Sequence, residues 1–165
     1  MTMTGGVTDD PNHPGLKRGG PDEAPVPQQD VYLVLSAEER VKGFVRPVRR
    51  SYRHVGIAGP QSSLQDITAE QKEWWKDDLD PFVKFEPYPV GGSGTRPGRF
   101  WTQSRLDSVG KGCGTVTTMG QALAETYARD FRFYGATYCC GCQKHRPVGE
   151  DGEFVWEGTD IRVGT

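Results

Sequence analysis

Tyr138-Cys139-Cys140-Gly141-Cys142-Gln143-Lys144-His145 is the stretch on which the reading of this chain turns. Cys139 and Cys142 stand at C-x-x-C spacing with a glycine between them. That spacing can place two thiolates about 2.3 Å from one zinc ion, and a glycine suits the tight turn. His145 follows three residues on, within reach of the same ion. Upstream, Cys113-Gly114 precedes a stretch with helical patterning. A short helix and a returning strand would bring Cys113 back beside Cys139. The expected ligand set is therefore Cys113, Cys139, Cys142 and His145, a tetrahedral Cys₃His site around one structural zinc. Two alternatives stay open. His54, at the end of Tyr52-Arg53-His54, competes for the place of His145 or Cys113. Cys140 is expected to be a small buried hydrophobe, but replaces Cys139 if the turn is offset.

Competing uses of these cysteines are a core of reduced thiols and a redox pair. No βαβ pattern surrounds the C-x-x-C, which disfavours the redox pair. Catalytic zinc needs an open coordination position and a nearby general base. The deaminase pattern is absent, since Val55-Gly56 follow His54 and Thr137-Tyr138 precede Cys139. Neither H-E-x-x-H nor G-x-S-x-G occurs. Asp77, Asp78 and Asp80 read as a solvated helix end. The expectation is a protein that is not an enzyme.

Around this centre the sequence reads as a small, loop-rich α+β domain with short strands and about three short helices, spanning 31–165. Val31–Leu35 reads as a strand. Ser36-Ala-Glu-Glu39, Thr68-Ala-Glu-Gln71 and Thr118-Met-Gly-Gln121 read as capping boxes opening the helices. After the third, Met119, Ala122, Leu123, Thr126 and Tyr127 recur at helical spacing and predict one buried face. Phe44–His54 reads as extended, with Pro47 confining it to an edge strand or loop. Residues 56–67 read as loop, Phe82–Tyr88 as a strand, and Gly91–Gly94 as a flexible tract. Phe133–Cys139 and Glu153–Trp156 complete the strands. Trp74 and Trp75 project about 100° apart on a helix, so they read either as one core ring and one interface anchor or as two core rings under a broad face.

Composition sets bounds. Of 165 residues only 35% are hydrophobic, with Gly 22 and Pro 12, which points to a modest core with long irregular segments. The net charge of -2 provides no global field for nucleic acid or anionic lipid. No apolar stretch approaches the roughly 18 residues of a membrane span. Met1–Gly6 lacks the basic start and apolar run of a secretory signal, so a reducing compartment with free or metal-bound thiols is expected. Residues 1–30 hold five prolines and no aromatic residue and read as an extended arm. Arg40, Lys42, Arg46, Arg49, Arg50 and Arg53, interleaved with Phe44 and Tyr52, make the best local case for nucleic acid. An edge strand facing solvent or a partner protein is the favoured reading of that stretch.

Four segments resemble a family: Gly43-Phe-Val-Arg-Pro-Val-Arg-Arg-Ser-Tyr-Arg-His54, Cys113-Gly-Thr-Val-Thr-Thr-Met119, Ala124-Glu-Thr-Tyr-Ala128, and Phe133-Tyr-Gly-Ala-Thr-Tyr-Cys139 through Phe154-Val-Trp156. Together they are similar to small proteins encoded in tailed-phage genomes, discontinuously and over about half the chain. Residues 57–110 look like an insertion in that pattern. The resemblance implies a setting rather than a chemical activity. The expected role is a virion-associated structural protein, a capsid decoration or minor head protein. It would be made in the host cytoplasm and bind other virion proteins, capsid subunits above all, through its arm. The alternative is a nucleic-acid-binding zinc module acting in the infected cell.

Overall fold

The computed structural model describes residues 6–16, 29, 31–87 and 98–165. In chain order the described elements are β1 (Gly6–Thr8), β2 (Val31–Leu33), α1 (Ala37–Arg40), β3 (Ser51–His54), β4 (Gln65–Asp66), α2 (Ala69–Trp74), β5 (Phe82–Glu86), β6 (Arg99–Thr102), α3 (Gln103–Asp107), β7 (Val116–Thr118), α4 (Gln121–Arg129), β8 (Ala136–Cys139), β9 (Lys144–Pro147) and β10 (Phe154–Trp156). The fold is α+β and loop-rich, with four helices among the described residues. The chain divides into two compact units, Met1–Gly56 with Gly112–Thr165, and Ile57–Lys111. The second unit starts where the sequence reads an insertion and ends one residue beyond it.

In the first unit a three-stranded antiparallel sheet runs in the order β10-β3-β7. β3 is its central strand, not an edge, because the strand begins only at Ser51, four residues past Pro47. Alternation along β3 turns Tyr52 and His54 inward, 0% and 2% exposed, and Ser51 and Arg53 outward. The Tyr52 ring stands edge-on to Phe154 at 5.2 Å between centroids, and its hydroxyl donates to the Tyr138 carbonyl. Helix α4 buries Leu123, Ala124, Thr126, Tyr127 and Ala128 against this sheet's core, with Met119 and Ala122 beside them. Buried Thr126 offsets its polarity by donating to Ala122 O and accepting from the Leu35 N–H. The third expected capping box does not form. Thr118 remains in β7, its hydroxyl 2.9 Å from that of Ser51, and Gly120 is the N-cap instead.

β1 lies within the segment read as an arm, and it pairs in parallel with β2, Gly6 opposite Val31 and Thr8 opposite Leu33. Residues 6–8 are therefore paired within the chain's own first unit. The other arm residues, save Gln29, and the Gly91–Gly94 tract lie outside the described residues.

The second unit is a three-stranded antiparallel sheet, β4-β5-β6, with α2 and α3. Thr68 caps α2 through the full reciprocal box with Gln71. Trp75 packs its ring on Phe82 and Phe100 at 4.9 and 4.8 Å, whereas Trp74 is 60% exposed. Buried Trp101 donates its indole N–H to Glu86 at 2.8 Å, and Gln61 N–H and Arg99 complete that carboxylate's partners. Burial pushes the Glu86 carboxyl up, but these hydrogen bonds outweigh it and hold it below its ordinary value.

Candidate metal centre

Three separate pieces of the first unit converge on one point: the end of β3, the loop before β7, and the turn of the β8–β9 hairpin. β3 delivers His54 because it shares the inward face with Tyr52. The loop delivers Cys113, held where Gly114 N–H donates to the His54 carbonyl at 2.9 Å and Cys113 N–H reaches His54 Nδ1 at 3.2 Å. Gly112 fits there because it has no side chain: a Cβ would lie 2.3 Å from the His54 carbonyl oxygen. The hairpin delivers Cys139 and Cys142. Its turn closes with Gln143 N–H to Cys139 O at 2.8 Å and Cys142 N–H to Cys139 Sγ at 3.4 Å, with Gln143 at φ 57°. A Cβ on Gly141 would come 2.8 Å from Cys113 Sγ, so the turn can close on the loop only with glycine there.

The ligand atoms of His54, Cys113, Cys139 and Cys142 all lie within 4.8 Å of one another. His54 Nδ1 is 3.3 Å from Cys113 Sγ and 3.4 Å from Cys142 Sγ, and Cys113 Sγ is 3.4 Å from Cys139 Sγ. Around a tetrahedral zinc, bond lengths near 2.3 Å to sulfur and 2.0–2.1 Å to nitrogen give edges of about 3.8 Å (S···S) and about 3.6 Å (S···N). These three separations fall slightly inside those edges, and no pair of the four exceeds 4.8 Å, so small shifts would admit an ion. The cluster could hold a metal ion.

Two further features fit a metal. His54 Nε2 lies 3.0 Å from Glu153 Oε1, leaving Nδ1 to face the thiols. A carboxylate on the far nitrogen fixes the ring and its tautomer, as around metal-bound histidines generally. Glu153 is itself pinned, since its carbonyl accepts from Val55 N–H and Gly56 N–H at 2.9 and 3.0 Å. The thiols are also unequal. Burial pushes Cys113 up, but hydrogen bonds from the Thr115 hydroxyl and N–H, with the polar contacts of His54 and Cys139 after them, outweigh it and bring it down to about 6. Burial pushes Cys139 up to about 12, and the neighbouring Cys113 adds to the rise.

Of the expected residues the structure brings together Cys113, Cys139 and Cys142, and the fourth side chain beside them is His54 rather than His145. The physical reason is strand alternation. His145 lies directly opposite Tyr138 in the hairpin, and Tyr138 and Cys139 are successive residues with opposite faces. His145 therefore shares the face of Tyr138, its ring 5.6 Å from that of Tyr138 and 5.8 Å from Tyr32. Cys140 turns into the core, where the Thr117 hydroxyl donates to its sulfur at 3.2 Å, so it does not replace Cys139. Much of the basic stretch is engaged within the chain. Arg46 reaches Thr165 O, Arg50 reaches Met119 O, and Arg53 bonds Gly114 O and Glu157.

Compared with known proteins, the chain matches no family model, no curated protein and no solved structure. Among the described residues no helix is long and apolar enough to cross a membrane.

Proposed function

We propose that His54, Cys113, Cys139 and Cys142 bind one structural zinc ion, and that the protein is a non-enzymatic structural component of a tailed-phage virion. The closed set of four protein ligands carries the zinc reading. Three thiolates and one imidazole suit zinc in softness and geometry, and all four tetrahedral positions are taken by side chains, so none remains for a substrate or an activated water. The ion would tie together β3, the loop before β7 and the β8–β9 hairpin. It would staple a first unit whose sheets have only two or three strands. The virion setting rests on the resemblance of Gly43–His54, Cys113–Met119, Ala124–Ala128 and Phe133–Trp156 to tailed-phage proteins. Capsid subunits are the partners it implies.

The nucleic-acid reading is less favoured, because backbone carbonyls already engage part of the guanidinium groups of Arg46, Arg50 and Arg53. The virion reading is tested by mass spectrometry of purified particles against the soluble lysate. The protein is expected in the particles at constant stoichiometry to the capsid. Its confinement to the soluble fraction would overturn that reading and leave the zinc reading standing.

A further inference from the structure

We propose that the metal centre is also an oxidation switch, in which a hydroperoxide joins Cys113 to Cys139 as a disulfide and the site gives up its ion. The inference rests on the zinc reading, because cysteines that ligate zinc do so as thiolates. An oxidation-sensitive site needs one sulfur that the oxidant can reach and a second thiol poised beside it. Cys113 meets the first condition. It is exposed, in contrast to fully buried Cys139, and it stands between Gly112 and Gly114. Even a Cβ on Gly114 would meet nothing within 4 Å beyond its chain neighbours, so that flank of Cys113 is open. Cys139 meets the second condition. Its Sγ lies 3.4 Å from Cys113 Sγ, although the two residues are 26 positions apart in sequence.

The chemistry follows from that order of access. The Cys113 sulfur attacks the peroxide O–O bond and forms an S–O bond, and the departing oxygen takes a proton from solvent to leave as alcohol or water. Cys139 Sγ then attacks the resulting sulfenic sulfur. The S–S bond forms as the S–O bond breaks, and the hydroxide takes a second solvent proton and leaves as water. Two electrons pass from the two thiolates to the peroxide. The sulfurs close from 3.4 Å to about 2.05 Å, which keeps the loop before β7 tied to the β8–β9 hairpin. Only His54 and Cys142 then face the ion, two protein ligands where a structural zinc site takes four. β3 thereby loses its tie to the hairpin through the metal. Cys140 is not drawn in, because it is 8% exposed and its sulfur accepts from the Thr117 hydroxyl at 3.2 Å inside the core.

Titration of the full, zinc-loaded chain with hydrogen peroxide tests this. Released zinc is read with a colorimetric indicator, the remaining thiols are alkylated, and disulfides are mapped by mass spectrometry of unreduced peptides. Each zinc ion released is expected to accompany one Cys113–Cys139 disulfide, with Cys140 and Cys142 recovered as alkylated thiols. The oxidised chain should bind no zinc until a dithiol reduces it, after which added zinc should return to one ion per chain. Zinc released with Cys139 joined to Cys142, or with Cys113 carried to a sulfinic acid and no disulfide, overturns the proposal. So does zinc that stays bound at a peroxide excess that fully oxidises free glutathione. In those outcomes the zinc reading stands. A chain that takes up no zinc before peroxide is added overturns the zinc reading, and this proposal with it.

Discussion

His54 and His145 both sit beside the cysteines in sequence logic, yet only His54 presents a ring nitrogen to the thiols. Their different fates depend on the pleat of single strands. His54→Ala should therefore abolish stoichiometric metal binding, while His145→Ala should leave metal content unchanged even if its lost packing on Tyr32 and Tyr138 lowers the melting temperature. Elemental analysis of the two purified variants checks this. The thiols add a pH dependence. At neutral pH the metal-free Cys139, raised to about 12, carries a proton that the metal must displace. Metal affinity should therefore fall as pH falls. Cys113, lowered to about 6, is already a thiolate at neutral pH, so its proton competes only below about pH 6, where the loss should steepen. Metal titrations in buffers of differing ionisation enthalpy should show at least one proton released per ion at pH 7; none released would contradict the assignment of Cys139.

At the scale of elements, strong local signals were readable and tertiary ones were not. Ser36 and Thr68 cap α1 and α2 as their sequences announce, each accepting from the N–H three residues on. The equally good motif at Thr118 lost to β7, because pairing with β3 outweighs a cap. Helix α3, five residues with none buried, has no apolar stripe to reveal it. β9 reads Lys-His-Arg-Pro, without β-branched or aromatic residues, and is a strand only because the knuckle turn folds it onto β8. β1 was hidden by its surroundings of glycine and proline. Its pairing has a consequence: removing residues 1–10 strips the partner from β2 and the acceptor Thr8 O from the Val34 N–H. Each lost hydrogen bond is worth about 0.5–1.5 kcal/mol, so the truncation should lower stability by on the order of 1–3 kcal/mol. Denaturant unfolding of the truncated chain measures it.

For the whole molecule, the metal site belongs entirely to the first unit, although its ligands are separated in sequence by the second. The chain leaves that unit after Gly56 and returns at Gly112, and a Cβ on Gly112 would lie only 2.6 Å from Gly56 N. Exit and re-entry therefore meet at one point, the condition under which an excursion can be removed without straining its host. Replacing residues 57–111 with a short glycine linker should yield a folded protein that still takes up one metal ion. Loss of both fold and metal would mean that the second unit supports the site. His54 and Cys113, on either side of the excursion, show why the fourth ligand was hard to read: 59 residues of chain separate two atoms 3.3 Å apart.

X-ray absorption at the zinc edge, on protein purified without added metal, addresses the centre itself. The expected spectrum has three sulfur scatterers near 2.3 Å and one nitrogen at about 2.0–2.1 Å, at one zinc per chain. It should keep its three sulfurs and one nitrogen in His145→Ala. A chain that is fully folded in the presence of chelator with no metal bound, or a zinc shell with fewer than three sulfurs, would contradict it.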